Sequence, residues 1–133
     1  MSTGARPAWG HRRGRGDEDR GLWEQLAIAL SAGDESEVCA LLHSEAAMLV
    51  DSGGLVPDAA AATSGRDAVA AAMRELVPAG TSIVPGSING DLGLVLDRGG
   101  AVVGVVTGEI RHGRLRNVWA VCSPEKLRHW RPR

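Results

Sequence analysis

From about residue 80 to residue 122 the apolar residues alternate at period two, and both alternating sets are apolar. The runs 81–88, 91–97, 101–110 and 114–122 read as four strands separated by turn residues. The last two form a hairpin with His112-Gly113 at the tip, a two-residue loop with glycine where positive φ is needed. If 111 pairs with 114, Glu109 faces Arg116 as an opposite-charge pair, Thr107 faces Val118, Val105 faces Ala120 and Val103 faces Cys122. On the other face Gly108 meets Asn117, Val106 meets Trp119 and Gly104 meets Val121. The Asp97–Gly100 turn brings in the preceding strand. An even-length loop puts Leu92, Leu94 and Leu96 on the Val103/Val105 face and Gly93 and Val95 on the Trp119 face. An odd loop with a bulge exchanges the two sets. A sheet covered by helices on one side normally shows a polar second face. Here both faces are apolar, so helices are expected on one and a second copy, sheet to sheet, on the other.

The segments ahead of this meander are helical in period. Leu22, Trp23, Leu26, Ala27 and Leu30 make one stripe over residues 21–32, and Gly33 ends it as a left-handed cap. Asp34, with Glu37 three residues on, opens a second helix whose stripe is Val38, Leu41 and Leu42, with Cys39 as a small core residue beside it. Residues 46–51 read as a short strand ending at an Asp51-Ser52-Gly53-Gly54 turn, while 55–64 is ambiguous because Pro57 argues against a central strand. Gly65-Arg66-Asp67 opens a third helix with Val69, Met73, Leu76 and Val77 on its apolar side, and Pro78 stops it. The order predicts an α+β fold: a curved, mostly antiparallel sheet wrapped around three N-terminal and central helices. Residues 1–20, rich in Gly and Arg, are expected to be a disordered leader, 21–130 the folded unit and 131–133 a basic tail. The leader reads as a solvated tail or as an arm for nucleic acid or phosphate.

Composition removes several classes. At 133 residues the chain holds one core. Cys39 and Cys122 are in no CxxC pair, which excludes a zinc ribbon or finger, and a reduced cytoplasmic setting fits them. No apolar run approaches the length of a membrane span, and no apolar stretch follows the N-terminal arginines as in a secretory signal. Charge is unevenly laid out: residues 22–110 carry twelve acids against Arg66, Arg74 and Arg98, whereas from Arg111 on there are seven bases against Glu125. A chain binding nucleic acid with its whole surface would not be built so, but basic ends on an acidic body favour an acidic partner or a head-to-tail contact.

Several short motifs occur in a telling order: MLVDSGGL (48–55), SGRDAVA (64–70), INGDLGLVL (88–96), DRGGAVVGVV (97–106), IRHGRL (110–115) and SPEKLRH (123–129). From about 22 to 130 the chain resembles the SnoaL-like branch of the nuclear-transport-factor-2-like cone fold. It is most similar to the C-terminal SnoaL-like domain of actinobacterial extracytoplasmic-function sigma factors. The resemblance implies a cone-shaped sheet enclosing a pocket, and contact with the sigma core through the Asp-Gly-Gly loop and the segment near the end. Asp51, Gly53 and Gly54 match that loop, with Leu55 where the family has Lys. Pro124, Lys126 and Leu127 match the end segment, with Ser123 for Asn and Glu125 for Asp. The two helical sigma regions have no counterpart, so the chain is not expected to bind a promoter directly. It looks like a free-standing copy of the extension or a remnant of a longer gene.

In relatives of this fold the pocket serves isomerases, cyclases, dehydratases and hydrolases with an Asp or His as proton carrier. The catalytic candidates here are Asp51, a base if burial raises its pKa or else the cap of its turn; His43, at a helix end; and Glu109, at a pocket mouth with Arg116 or in a plain surface pair. Asp91 and Asn117 join Arg116 and Trp119 as candidate pocket residues, with Trp119 a ligand shelf or a filler opposite small glycines. No metal site is expected, and no nucleotide or hydrolase motif stands in its proper context, so no cofactor is expected. The expected function is a binding or protein-interaction domain, a homodimer through its outer sheet face, modulating a sigma factor or RNA polymerase. The alternative is a small isomerase, cyclase or hydrolase acting on an apolar small molecule.

Overall fold

Three helices and six strands follow one another over the residues that the computed structural model describes, 9–51, 60–88 and 90–122. They are α1 (Trp9–Ala32), α2 (Glu35–Leu41), β1 (Leu42–Asp51), β2 (Ala60–Ser64), α3 (Arg66–Glu75), β3 (Ser82–Ile88), β4 (Asp91–Arg98), β5 (Ala101–Arg111) and β6 (Arg114–Val121). The strands form one sheet in the order β2-β1-β6-β5-β4-β3, antiparallel except where β1 runs parallel to β6. The expected α+β class holds: helices lie against one face of a curved, mostly antiparallel sheet.

The local signals act as their chemistry requires. Gly33 takes φ 69°, where a left-handed residue ends α1 without a Cβ penalty. The Glu37 N–H donates to Asp34 Oδ1 at 3.1 Å, satisfying one of the orphan donors of α2. Gly65, at φ 100°, enters α3, and the chain leaves that helix at Leu76, two residues before Pro78. Two boundaries differ from expectation. α1 begins at Trp9 rather than near residue 21, so residues 9–20, expected in a disordered leader, are helical. Their arginines and acids are helix-compatible, and Asp17 and Arg20 stand one turn apart with 4.0 Å between charged atoms. β1 begins at Leu42, directly after α2, and the ambiguous stretch 55–64 supplies β2. Pro57 lies outside the described residues, as do Gly53, Gly54, Pro124, Lys126 and Leu127.

Two bulges set which side chains face the helices. At the hairpin tip Arg111 pairs with Arg114 and Ile110 with Leu115, as expected. Then Arg116 becomes an extra residue: Glu109 pairs with Asn117, Gly108 with Val118, Thr107 with Trp119 and Val106 with Ala120. The expected Glu109–Arg116 pair is therefore not formed, and the expected partnerships of Trp119 with Val106 and of Val118 with Thr107 are each displaced by one residue. Val103 is the extra residue of the second bulge, so Leu94 pairs with Val106 and Leu96 with Gly104. The leucines of β4 thus share a face with Val106, the outcome anticipated for a bulged loop. Gly93 and Val95 share the Trp119 face, as the even loop had it.

The helix-covered face is filled. Trp23, Leu26, Val38, Leu42, Val69, Met73, Leu94, Leu96, Val106 and Leu115 are almost wholly removed from solvent and belong to one cluster. Burying side chains of this size stabilises by about 1.5–3 kcal/mol each relative to exposure. α1 lies against β3 and β4 and α3 against β1 and β2, so both flanks of the sheet are held. The second face is only partly self-covered. Ile88 and Val105 are buried there in a small cluster with Val102 and Val121, whereas Leu49, Val84, Val103 and Trp119 are exposed.

Gly93 marks how closely the strands and side chains meet: a Cβ there would strike the Val106 carbonyl oxygen and lie 2.7 Å from Ile88 Cδ1. Gly93→Ala should destabilise the fold by about 1–3 kcal/mol. Gly86→Ala, whose Cβ meets only Val95 Cγ2 at 3.4 Å, should change stability by about 0.5 kcal/mol or less. Urea midpoints at unchanged m-value would show the contrast.

Candidate functional site

One concavity, of about 480 Å³, lies on the second face of the sheet, away from the helices; others lie between α1 and the β5–β6 hairpin, about 400 Å³, and between α1 and β3, about 700 Å³. The registers build the first in two rows. Ala62, Leu49, Trp119 and Thr107 lie side by side across β2, β1, β6 and β5; one step along, Ser64, Ala47, Asn117 and Glu109 do the same. The groove exists because small residues on β1 and β2 stand beside the large indole of Trp119, which is 52% exposed. Glu109 is the charged residue of this lining. Its Oε1 accepts a 2.7 Å hydrogen bond from Asn117 Nδ2, and its Oε2 stands 3.6 Å from Arg111 Nε in a half-exposed pair.

Three expected site residues, Trp119, Asn117 and Glu109, are thus brought together, but on the outer face rather than inside the cone. Arg116, expected beside Glu109, is the bulged residue and reaches Glu45 Oε1 at 3.5 Å. Asp91 is exposed at the β3–β4 turn opposite Ile88 and does not line the groove. His43 is not at the end of α2 but inside β1, where its Nδ1 accepts the Glu45 N–H at 2.9 Å. Its ring lies 6.3 Å from that of His112, a proximity the chain spacing does not show. Among the described residues no three of His, Cys, Asp and Glu are placed to hold a metal ion. Leu49, Ala62 and Thr107 were not singled out from the sequence, because their meeting with Trp119 depends on the parallel β1–β6 pairing between residues far apart in the chain.

Asp51 ends β1 half-buried, and its carbonyl accepts the Cys122 N–H at 2.9 Å. It stands outside the groove, and the Gly53-Gly54 turn it was expected to cap lies outside the described residues. No Asp or Glu among the described residues is buried, so no carboxylate projects into the packed interior.

Burial, and then the negative charge of Asp51, push the Cys122 thiol above its ordinary value of 9.0. Burial also raises Cys39, aided by the 3.5 Å hydrogen bond its thiol donates to Asp67 Oδ1 and by that carboxylate's charge. Both thiols should alkylate with iodoacetamide more slowly than free cysteine at about pH 8, with rates still climbing as pH rises past 9.0. Asp51→Asn removes a charge that opposes the thiolate, so Cys122 should then react a few-fold faster, read by mass spectrometry of the modified peptides.

No protein-family model matches the chain, and no curated protein matches it by sequence. Solved structures do. An extracytoplasmic function sigma factor of Mycobacterium tuberculosis, SigJ, shares 25% identity at a TM-score of 0.60 over 80% of this chain and 43% of its own. The chain therefore spans less than half of that relative. A ketosteroid-isomerase-like protein of Kribbella flavida DSM 17836 shares 18% identity, TM-score 0.57, over 79% and 77% of the two chains. An NTF-2 like protein of unknown function from Burkholderia xenovorans LB400 shares 17%, TM-score 0.60, over 88% and 95%. With its helices against one face of a curved sheet and these neighbours, the chain has the nuclear-transport-factor-2-like cone fold that its SnoaL-like sequence motifs anticipated.

Proposed function

We propose that this chain is a non-enzymatic binding domain whose working surface is the second face of its sheet. The observation that carries the reading is the contrast between the two faces. The interior, where a cone-fold enzyme would hold its substrate, is filled by Trp23, Leu26, Met73, Leu94, Leu96 and Leu115. The groove on the outer face instead presents an exposed indole, an exposed leucine and one carboxylate. Exposed aromatic residues in a concave apolar surface are the usual anchors of protein interfaces. The partner is a sigma factor or RNA polymerase. This rests on the motifs shared with sigma-factor extensions and on the likeness to SigJ, in which an equivalent unit occupies part of a longer chain. A second copy pairing sheet to sheet is part of the proposal, through the side of this face where Val84 and Val103 are exposed, which leaves the Trp119 groove open to the other partner.

A second reading, a small enzyme of the isomerase or hydrolase kind, is favoured by one observation: about 480 Å³ is a volume suited to a small apolar ligand. Against it stands the chemistry. Glu109 is exposed, and neither Asp51 nor His43 lines the groove.

Affinity-tagged full-length chain should recover a sigma or core polymerase subunit from its native host, and Trp119→Ala should lose it while keeping the wild-type unfolding midpoint within a few degrees. Recovery of neither subunit overturns the regulatory reading. Light scattering at micromolar concentration should give a dimer that Val84→Glu converts to a monomer; a wild-type monomer overturns the pairing of copies.

A further inference from the structure

We propose that the Trp119 groove is a receptor for an arginine side chain presented by the protein partner, with apolar residues on either side of that arginine. The inference rests on reading the second face as the interaction surface and adds what that surface recognises. The two rows differ in chemistry. Leu49, Trp119 and Thr107 form an apolar strip; Asn117 and Glu109 form a polar one beside it. Successive residues on one face of a strand stand about 6.6 Å apart, so the strips lie one side-chain length from each other. An arginine spans that interval: its methylene stem packs on apolar surface while its head reaches a carboxylate.

Charge complementarity selects a cation. Glu109 is the charged group lining the groove, and it lies diagonally across the β5–β6 pair from the exposed indole. The Asn117 bond at 2.7 Å steadies the carboxylate through Oε1. The other oxygen faces Arg111 at 3.6 Å, beyond a good charged hydrogen bond, with both side chains about half exposed. Such a pair contributes little and is readily exchanged for a better one. A guanidinium meets both demands at once: its plane stacks on the indole and its N–H fork meets the carboxylate. A lysine ammonium satisfies only the second as a point charge. The site is separate from the filled interior of the cone, and its elements are held by the sheet rather than by loops.

The test uses the full-length chain, labelled with ¹⁵N, and the indole N–H signal of Trp119 assigned through Trp119→Phe. Three synthetic probes are titrated: acetyl-Leu-Arg-Leu-amide, its Lys analogue and its Glu analogue. The Arg peptide should shift the Trp119 indole and the backbone signals of Thr107 and Ala47 at millimolar concentration, the Lys peptide more weakly, the Glu peptide not at all. Glu109→Gln should weaken Arg-peptide binding about tenfold, and raised salt should weaken it further. Equal response to the Arg and Glu peptides, indifference to Glu109→Gln, or no response to the Arg peptide overturns the proposal. So does a Trp119 indole that responds only when a dimer dissociates, since a second copy then occupies the groove. Co-purification of a sigma or polymerase subunit without Arg-peptide binding sinks this inference alone. Arg-peptide binding without co-purification sinks the choice of partner instead.

Discussion

One extra residue in β6 governs the molecule. Arg116 has no partner across β5, and the register on its two sides differs by one. Because side chains alternate at period two, that shift decides which half of β6 meets the helices. With it, Leu115, Val118 and Ala120 are buried and Asn117 and Trp119 stand outward. Without it, an indole would point into a space already filled by leucines. The irregularity is echoed in β1, whose pairing with β6 jumps between Leu42 and Ala47, and it is there that Arg116 meets Glu45.

The filled interior has a functional consequence. Pockets of small-molecule enzymes are apolar cavities with a few convergent polar groups. On the helix side of this sheet large side chains fill the core, a concavity of about 400 Å³ remains between α1 and the β5–β6 hairpin, and no carboxylate among the described residues is buried in the core. Proton-transfer chemistry depends on burial or a neighbouring charge to tune a group toward neutrality. Burial raises the thiols of Cys39 and Cys122, which sit apart from the groove. The same backbone that encloses a reaction site in other proteins can, once packed, serve as a rigid support for a surface on its opposite side.

That opposite surface is uneven in a useful way. Toward β3 and β4, Ile88 folds over Gly93 and joins Val105, so part of the face covers itself. Toward β1 and β2, small residues leave the Trp119 indole standing clear. The groove therefore sits beside the exposed Trp119 indole, where β1 and β2 carry Ala47 and Ala62.

The amino-acid order alone was enough for the class of fold, the helix caps at Gly33 and Asp34, the hairpin turn at His112-Gly113 and the four-strand meander. Each follows from periodicity or from the backbone freedom of one or two residues, which are local properties. The motifs also carried the likeness to SnoaL-like domains. Three of the groove's residues, Trp119, Asn117 and Glu109, were legible as candidates, but their company was not. Leu49 and Ala62 meet Trp119 only because β1 pairs in parallel with β6, a contact between distant segments that leaves no local trace. Face assignment likewise waited on tertiary structure. A bulge changes the alternation by one residue without changing composition or period on either side, and the packing of helices against the sheet decides where it falls.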